Sequence, residues 1–337
     1  MPEKSLYVRL AESVGAGGSP LIPRIFQLMA DEDEARVLLA ASPPAAAEEI
    51  AAKTGLTADK VRPMLEGLFA KGLVFTSVKP DATRYYRVRH VLQFHDATAI
   101  GDPPREVLDL WKEFMAREWS GYLDQITQFL PGPPIRVIPL KISLTPQTQV
   151  MAFDDVDQVI QGARRLAVTK CSCRVIDGAC GKPIEVCLQI NKAADYNIQR
   201  GTGRELTKEE ALEIIKKAEE AGLVHVGDNS RSLDRVICNC CGDCCMNWPG
   251  PRDKPVKFVA PSRFTAAVSG DQCTSCETCV EACPFQAIAM TGENETALVL
   301  ADKCMGCGVC VAACPVEAIA LVETRPEAHV PAGPSVH

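Results

Sequence analysis

The sequence predicts a multidomain α/β chain of the α+β kind, and three observations predict it. All 17 cysteines fall between Cys171 and Cys314, so everything before Cys171 is free of them. That cysteine-free half alternates helical periodicity with one candidate hairpin, while near the C-terminus the pattern of Cys273–Pro284 recurs at Cys304–Pro315. With 337 residues, 47% of them hydrophobic, each segment can bury an ordinary core. The expected divisions are a helix–hairpin domain over 21–100, a connecting helix and extended linker over 101–150, a cysteine-rich α+β domain over 151–262, the repeat over 263–325 and a flexible tail over 326–337.

A net charge of −7 argues against coating nucleic acid by bulk electrostatics. The N-terminus has no apolar signal segment, and nowhere do about 18 uncharged apolar residues run together. A cytoplasmic chain without membrane insertion is therefore expected. An odd number of cysteines in C-x-C and C-x-x-C spacings points to thiolate metal ligation in a reducing compartment rather than to disulfides.

Helical segments are predicted through Leu21–Met29 and Asp33–Ala41, the second ended near Pro43 and Pro44. A helix over Ala45–Thr54, a turn at Gly55 and a new N-cap at Thr57 lead into Ala58–Lys71. There Val61, Met64, Leu65 and Leu68 share one face, and Gly72 stops the helix. Leu73–Val78 and Arg84–Arg89, joined by residues 79–82, pattern as a hairpin. Helix, turn, helix and hairpin together resemble the winged-helix superfamily. The resemblance implies either DNA binding or protein docking. Seven Lys/Arg against three Asp/Glu over 57–90 favour DNA; 12 charges of each sign over 1–100, with Pro63 early in the second helix, favour docking.

Residues 104–130 read as one long amphipathic helix whose apolar set is Val107, Leu110, Trp111, Phe114, Met115 and Trp119. After Pro131–Pro134, residues 135–144 look extended and read as a hinge.

The middle cysteines form two groups: Cys171, Cys173, Cys180 and Cys187, then Cys238, Cys240, Cys241, Cys244 and Cys245. Adjacent cysteines point their side chains apart, so a second group this dense cannot all be inert core, and some of its thiols are expected to be ligands. Between the groups, a Thr207–Glu210 capping box opens a helix that Gly222 ends, and a strand over Leu223–Val226 folds the groups back on each other. His225 is expected to be an ordinary polar surface residue.

In the repeat, Cys273, Cys276, Cys279 and Cys283-Pro284 are followed by Cys304, Cys307, Cys310 and Cys314-Pro315. This C-x2-C-x2-C-x3-C-P spacing lets three thiolates of one loop hold one [4Fe–4S] cubane while the fourth reaches the other. Cys273, Cys276, Cys279 and Cys314 are thus the expected ligands of the first cluster. Cys304, Cys307, Cys310 and Cys283 are those of the second. The prolines are expected to start short helices, with short strands flanking the loops.

All eight ligands and both prolines make residues 263–324 resemble the bacterial dicluster ferredoxins, which implies a ferredoxin-like fold and transfer of single electrons. The middle region is similar to a cysteine-rich domain that precedes such modules in many proteins of anaerobes, and that resemblance implies no established activity. The preferred reading of its nine thiols is a third [4Fe–4S] cluster on Cys173, Cys180, Cys187 and one thiol of the second group. A zinc ion held by four cysteines and a redox-active pair at Cys240–Cys241 or Cys244–Cys245 are the alternatives. Arg174 reads either as a donor to a cluster sulfur or as a surface ion-pair partner.

The glycine-rich stretches at 15–18 and 201–203 lack the strand and helix of a phosphate loop. No catalytic triad or carboxylate pair appears. The expected function is an iron–sulfur electron-transfer subunit or accessory protein serving an oxidoreductase partner, rather than a stand-alone enzyme. A redox-sensing DNA-binding regulator is the alternative.

Overall fold

The structure is a computed structural model that describes residues 4–78, 80, 82–144, 150–248, 258–291 and 296–333. It divides into two compact units: Met1–Tyr122 with Ser172–Gly178 and Gln199–Thr202, and the rest of the chain.

The first unit is built from short capped helices. Helix Leu6–Ser13, which the sequence reading did not anticipate, starts at Ser5, whose side chain accepts from the Val8 N–H. Ile22–Met29 and Glu32–Ala40 follow, the latter opened by a reciprocal Asp31–Glu34 capping box. Ala47–Thr54 ends at Gly55 in the left-handed conformation, and Ala58–Ala70 then runs through Pro63 without a break. Strands β1 (Val74–Val78) and β2 (Thr83–Arg87) pair antiparallel, and Ala45 bridges to Tyr85. Lys79 and Asp81 of the expected hairpin loop lie outside the described residues.

The expected long helix is two, Arg105–Arg117 and Trp119–Thr127, separated at Glu118. The break accompanies the full burial of Trp119, which stacks on Tyr122 with ring centroids 5.4 Å apart. Trp111 is also fully buried, and its indole N–H donates to Thr98 at 3.0 Å. That partner satisfies the polar end of a large apolar side chain. Helix Ser172–Asp177 packs onto Val91–Ala99 and Arg105–Arg117. Ser172 donates to Asp96 at 2.7 Å, and Lys112 pairs with Asp177 at 2.9 Å.

The second unit is organised on a seven-stranded sheet: β3 (Ile135–Ile138), β4 (Leu166–Lys170), β5 (Glu185–Ile190), β6 (Gly203–Leu206), β7 (Val224–Asp228), β8 (Val236–Cys240) and β9 (Val259–Ala260). The order is β6-β4-β5-β8-β7-β3-β9, with every pair antiparallel except β3–β9. The segment read as a hinge is therefore an interior strand. Val137 and Ile138 are both fully buried, one on each face, because strand side chains alternate.

One face of the sheet packs with the helices Val156–Gly162 and Lys208–Glu220 around Ile138, Leu188, Ile215 and Ile237. The other face, with Val137, Val224, Val226 and Cys240, shares a core with the C-terminal repeat.

The repeat forms two antiparallel pairs that interlock its halves. Strand β10 (Phe264–Val268) pairs with β13 (Ile319–Glu323), and β11 (Ile288–Thr291) pairs with β12 (Thr296–Val299). The short helices Thr278–Ala282 and Val309–Ala313 lie before the prolines, not after them. Each carries the third cysteine of its loop, and the proline, which disfavours helix in the residue preceding it, marks its end. Past residue 325 the chain forms a turn over Glu327–His329. Val330 is then fully buried and accepts from Arg231 at 3.0 Å, so the expected tail is anchored there.

Candidate metal centres

The two repeat loops share one backbone path. Ser275 and Glu277 have φ of 57° and 61°, and Gly306 and Gly308, their counterparts in the second loop, have φ of 63° and 85°. A left-handed residue on each side of the second cysteine curls the loop so that its thiols converge.

Cys273, Cys276, Cys279 and Cys314 line one small cavity with Val268, Met290 and Ile319; its empty space is about 330 Å³. Cys283, Cys304, Cys307 and Cys310 line a second of about 330 Å³, with Phe285, Ile288 and Leu321. In each cavity the fourth thiol comes from the other loop, the exchange the spacing implies. The donor set fits a [4Fe–4S] cluster: four thiols per cavity, apolar walls, and backbone N–H groups aimed at sulfur. The Ala287 N–H donates to Cys283 Sγ and the Ala318 N–H to Cys314 Sγ, both at 3.3 Å. Such donors stabilise a thiolate and tune the potential of a cluster bound to it.

The two sets differ in cover. The Leu140 N–H donates to the Cys307 carbonyl at 2.9 Å, and Ser262 donates to the Met305 carbonyl through its N–H and to that of Gly306 through its hydroxyl. These contacts seal the second loop. Burial pushes the Cys307 thiol up to about 12 and the Cys310 thiol up as well. Loading that set therefore expels thiol protons. In the first loop Cys276 is exposed, and hydrogen bonding from Thr278, 3.4 Å away, holds its thiol below the ordinary range.

The middle cysteines separate by face. Cys238 and Cys240 sit on alternate positions of β8, and with Cys245 they belong to the core shared with the repeat. Hydrogen bonds with Cys238 and Cys245, together with burial, push the Cys240 thiol well up. Cys241 and Cys244, past the strand end, turn to the opposite face with Cys180. The sulfurs of Cys180, Cys241 and Cys244 all lie within 4.8 Å of one another. Of the preferred ligands Cys173, Cys180 and Cys187, only Cys180 is in this group, and the second cysteine group contributes two thiols where one was expected. Cys187 lies on β5, where it accepts from Gln189 at 3.2 Å, and Cys173 is buried on helix Ser172–Asp177 in the first unit. Cys171 donates its backbone N–H to the Ile184 carbonyl at 2.8 Å.

Two polar residues depart from expectation. His225 is not at the surface: it is fully buried on β7, bonded through Nδ1 to Asn239 and through Nε2 to Glu219 at 3.3 Å. Arg174 is also buried rather than at the surface.

Residues 272–323 match the family of 4Fe-4S dicluster domains. The C-terminal segment thus matches a 4Fe-4S domain, which together with the many cysteines suggests iron–sulfur electron transfer. Neither the curated proteins nor the solved structures gave a match. No helix among the described residues is long and apolar enough to cross a membrane.

Proposed function

We propose that the chain is an iron–sulfur electron-transfer protein that relays single electrons to or from an oxidoreductase partner. The observation that carries this reading is the pair of four-thiol cavities built by exchange between two loops of one repeat. Bound there, [4Fe–4S] clusters supply one-electron storage and transfer. The chain's own residues supply ligation, N–H donors to sulfur, an exposed edge at Cys276 and a sealed interior at Cys307. The exposed edge is the natural point of exchange with a partner.

The first unit serves docking in this reading rather than DNA recognition. Of the basic residues counted toward DNA, Arg62, Lys71 and Arg84 pair with Glu48, Glu34 and Glu49. Arg87 donates to the carbonyls of Ser13 and Val88, and Arg89 lies over the Tyr86 ring, 4.3 Å from its centroid. Cations engaged in this way are poorly placed to neutralise phosphates.

The test is iron, zinc and acid-labile sulfide per chain on anaerobically purified protein, with EPR of the dithionite-reduced form. About eight irons with matching sulfide and signals from two interacting clusters support the relay. About twelve irons would add the third cluster expected from sequence. Iron near zero would overturn the reading.

A further inference from the structure

We infer that Cys180, Cys241 and Cys244 form a mononuclear thiolate site for a single zinc ion, separate from the two cluster cavities. The inference goes beyond the relay and does not rest on it.

Distance is the first argument. Thiolates bound to one zinc at about 2.3 Å, set at the tetrahedral angle, stand roughly 3.8 Å apart. Thiolates of a cubane bind different irons and stand farther apart. In this chain Cys180, Cys241 and Cys244 lie mutually within 4.8 Å, and among the described residues neither dicluster set contributes three thiols that do so. The repeat is thus an internal standard for cubane spacing, and the middle group is tighter than that standard.

Local backbone geometry is the second. Cys241 and Cys244 have C-x2-C spacing in a turn just past β8, and the Cys244 N–H donates back to Cys241 Sγ at 3.3 Å. An N–H turned onto the first sulfur of such a turn stabilises it as thiolate, the form that binds metal. Cys180 closes the group from a distant part of the sequence, the segment that leads into β5.

The surroundings are the third. Cys241 and Cys244 are buried at the edge of the aliphatic core of Ile214, Leu188 and Ile237, with Cys180 half-buried against it. Three converging sulfurs in apolar surroundings can all give up their protons only with a cation between them. Zinc, which is redox-inert and accepts sulfur at tetrahedral angles, meets that need without adding a redox centre. The ion would tie the loop at Cys180 to the end of β8, the strand that presents Cys238 and Cys240 to the repeat.

The test uses the full chain, purified anaerobically, with metal analysis and X-ray absorption at the zinc edge. The expected result is about one zinc per chain, with at least three sulfur neighbours near 2.3 Å, beside about eight irons. Cys241→Ala and Cys180→Ala should each cut zinc at least about fivefold and leave iron unchanged, whereas Cys283→Ser should lower iron and leave zinc. Should a variant fail to fold, the zinc-edge spectrum of the unaltered chain decides alone. Zinc absent even after incubation with zinc under reducing conditions, zinc without sulfur neighbours, or about four irons lost with Cys241→Ala would overturn the assignment. Zinc absent with eight irons defeats this inference only; zinc present without iron defeats only the relay.

Discussion

Asp154 is fully buried between two guanidiniums that are themselves buried. Arg263 donates to it at 2.7 Å, and Arg136 stands 3.9 Å away. Arg263 also pairs with Glu323 on β13, so this charge group ties the turn at 152–154 to strands β3 and β13. Removing the Asp154 carboxylate leaves Arg263 with Glu323 alone and sets it against the buried Arg136 in low dielectric. Asp154→Ala is expected to cost about 3–5 kcal/mol, read as a lower denaturation midpoint. A second buried carboxyl, that of Asp228, is pushed by burial up to about 6. A raised pKa means the folded state holds the proton more tightly than the unfolded chain does. That contribution is full below about pH 4 and is lost as pH rises through about 6, a loss of roughly 3 kcal/mol for a shift of about two units. Asp228→Asn imitates the protonated form, so its denaturation midpoint should stay level between about pH 5 and 8 while that of the unaltered chain falls. Neither site was legible in the sequence, and neither was His225. Burial of a polar residue is set by partners such as Asp154 for Arg263 or Asn239 for His225, which lie far away along the chain.

At the scale of the element, the two loops solve one backbone problem with different residues. Left-handed conformations at Ser275 and Glu277 place β-carbons in an unfavourable region, which Gly306 and Gly308 avoid. Glu277→Gly should therefore stabilise the chain by about 1 kcal/mol. Gly308→Ala should do the reverse by a larger margin, because a β-carbon there would run into Ser143 as well. Iron retention during thermal challenge measures both. A loss of iron with Glu277→Gly would show that the side chain is needed. The fourth cysteine of each loop lines the other loop's cavity, the arrangement that C-x2-C-x2-C-x3-C-P leads one to expect. The short helices lie on the opposite side of the prolines from the one expected, because a proline marks a helix start and a helix stop equally well. The break at Glu118 follows from how Trp119 packs, and periodicity carries no record of that. The grouping of the middle thiols was hidden for a related reason: alternation along β8 and its end at Cys240, which send neighbouring thiols to opposite faces, emerge only from the sheet register.

For the whole molecule, the asymmetry of cover between the two cavities has a consequence that can be measured. Reduction adds negative charge to a thiolate-ligated cluster, so solvent exposure and donated hydrogen bonds raise its potential and burial lowers it. The first set has an exposed Cys276 and a Thr278 hydroxyl on its sulfur, while the second is sealed by Leu140 and Ser262. Two potentials are therefore expected, the higher at the exposed set. Thr278→Val keeps the side chain's shape and removes the donor. The higher potential should fall by an amount on the order of tens of millivolts while the lower one stays, as read by an EPR-monitored redox titration. Movement of the lower potential alone would mean that the order of the two centres is reversed. In the proposed relay, electron exchange would then have to reach the buried set by another surface. If both moved together, the two sets would be coupled so strongly that exposure at Cys276 no longer identified the point of exchange.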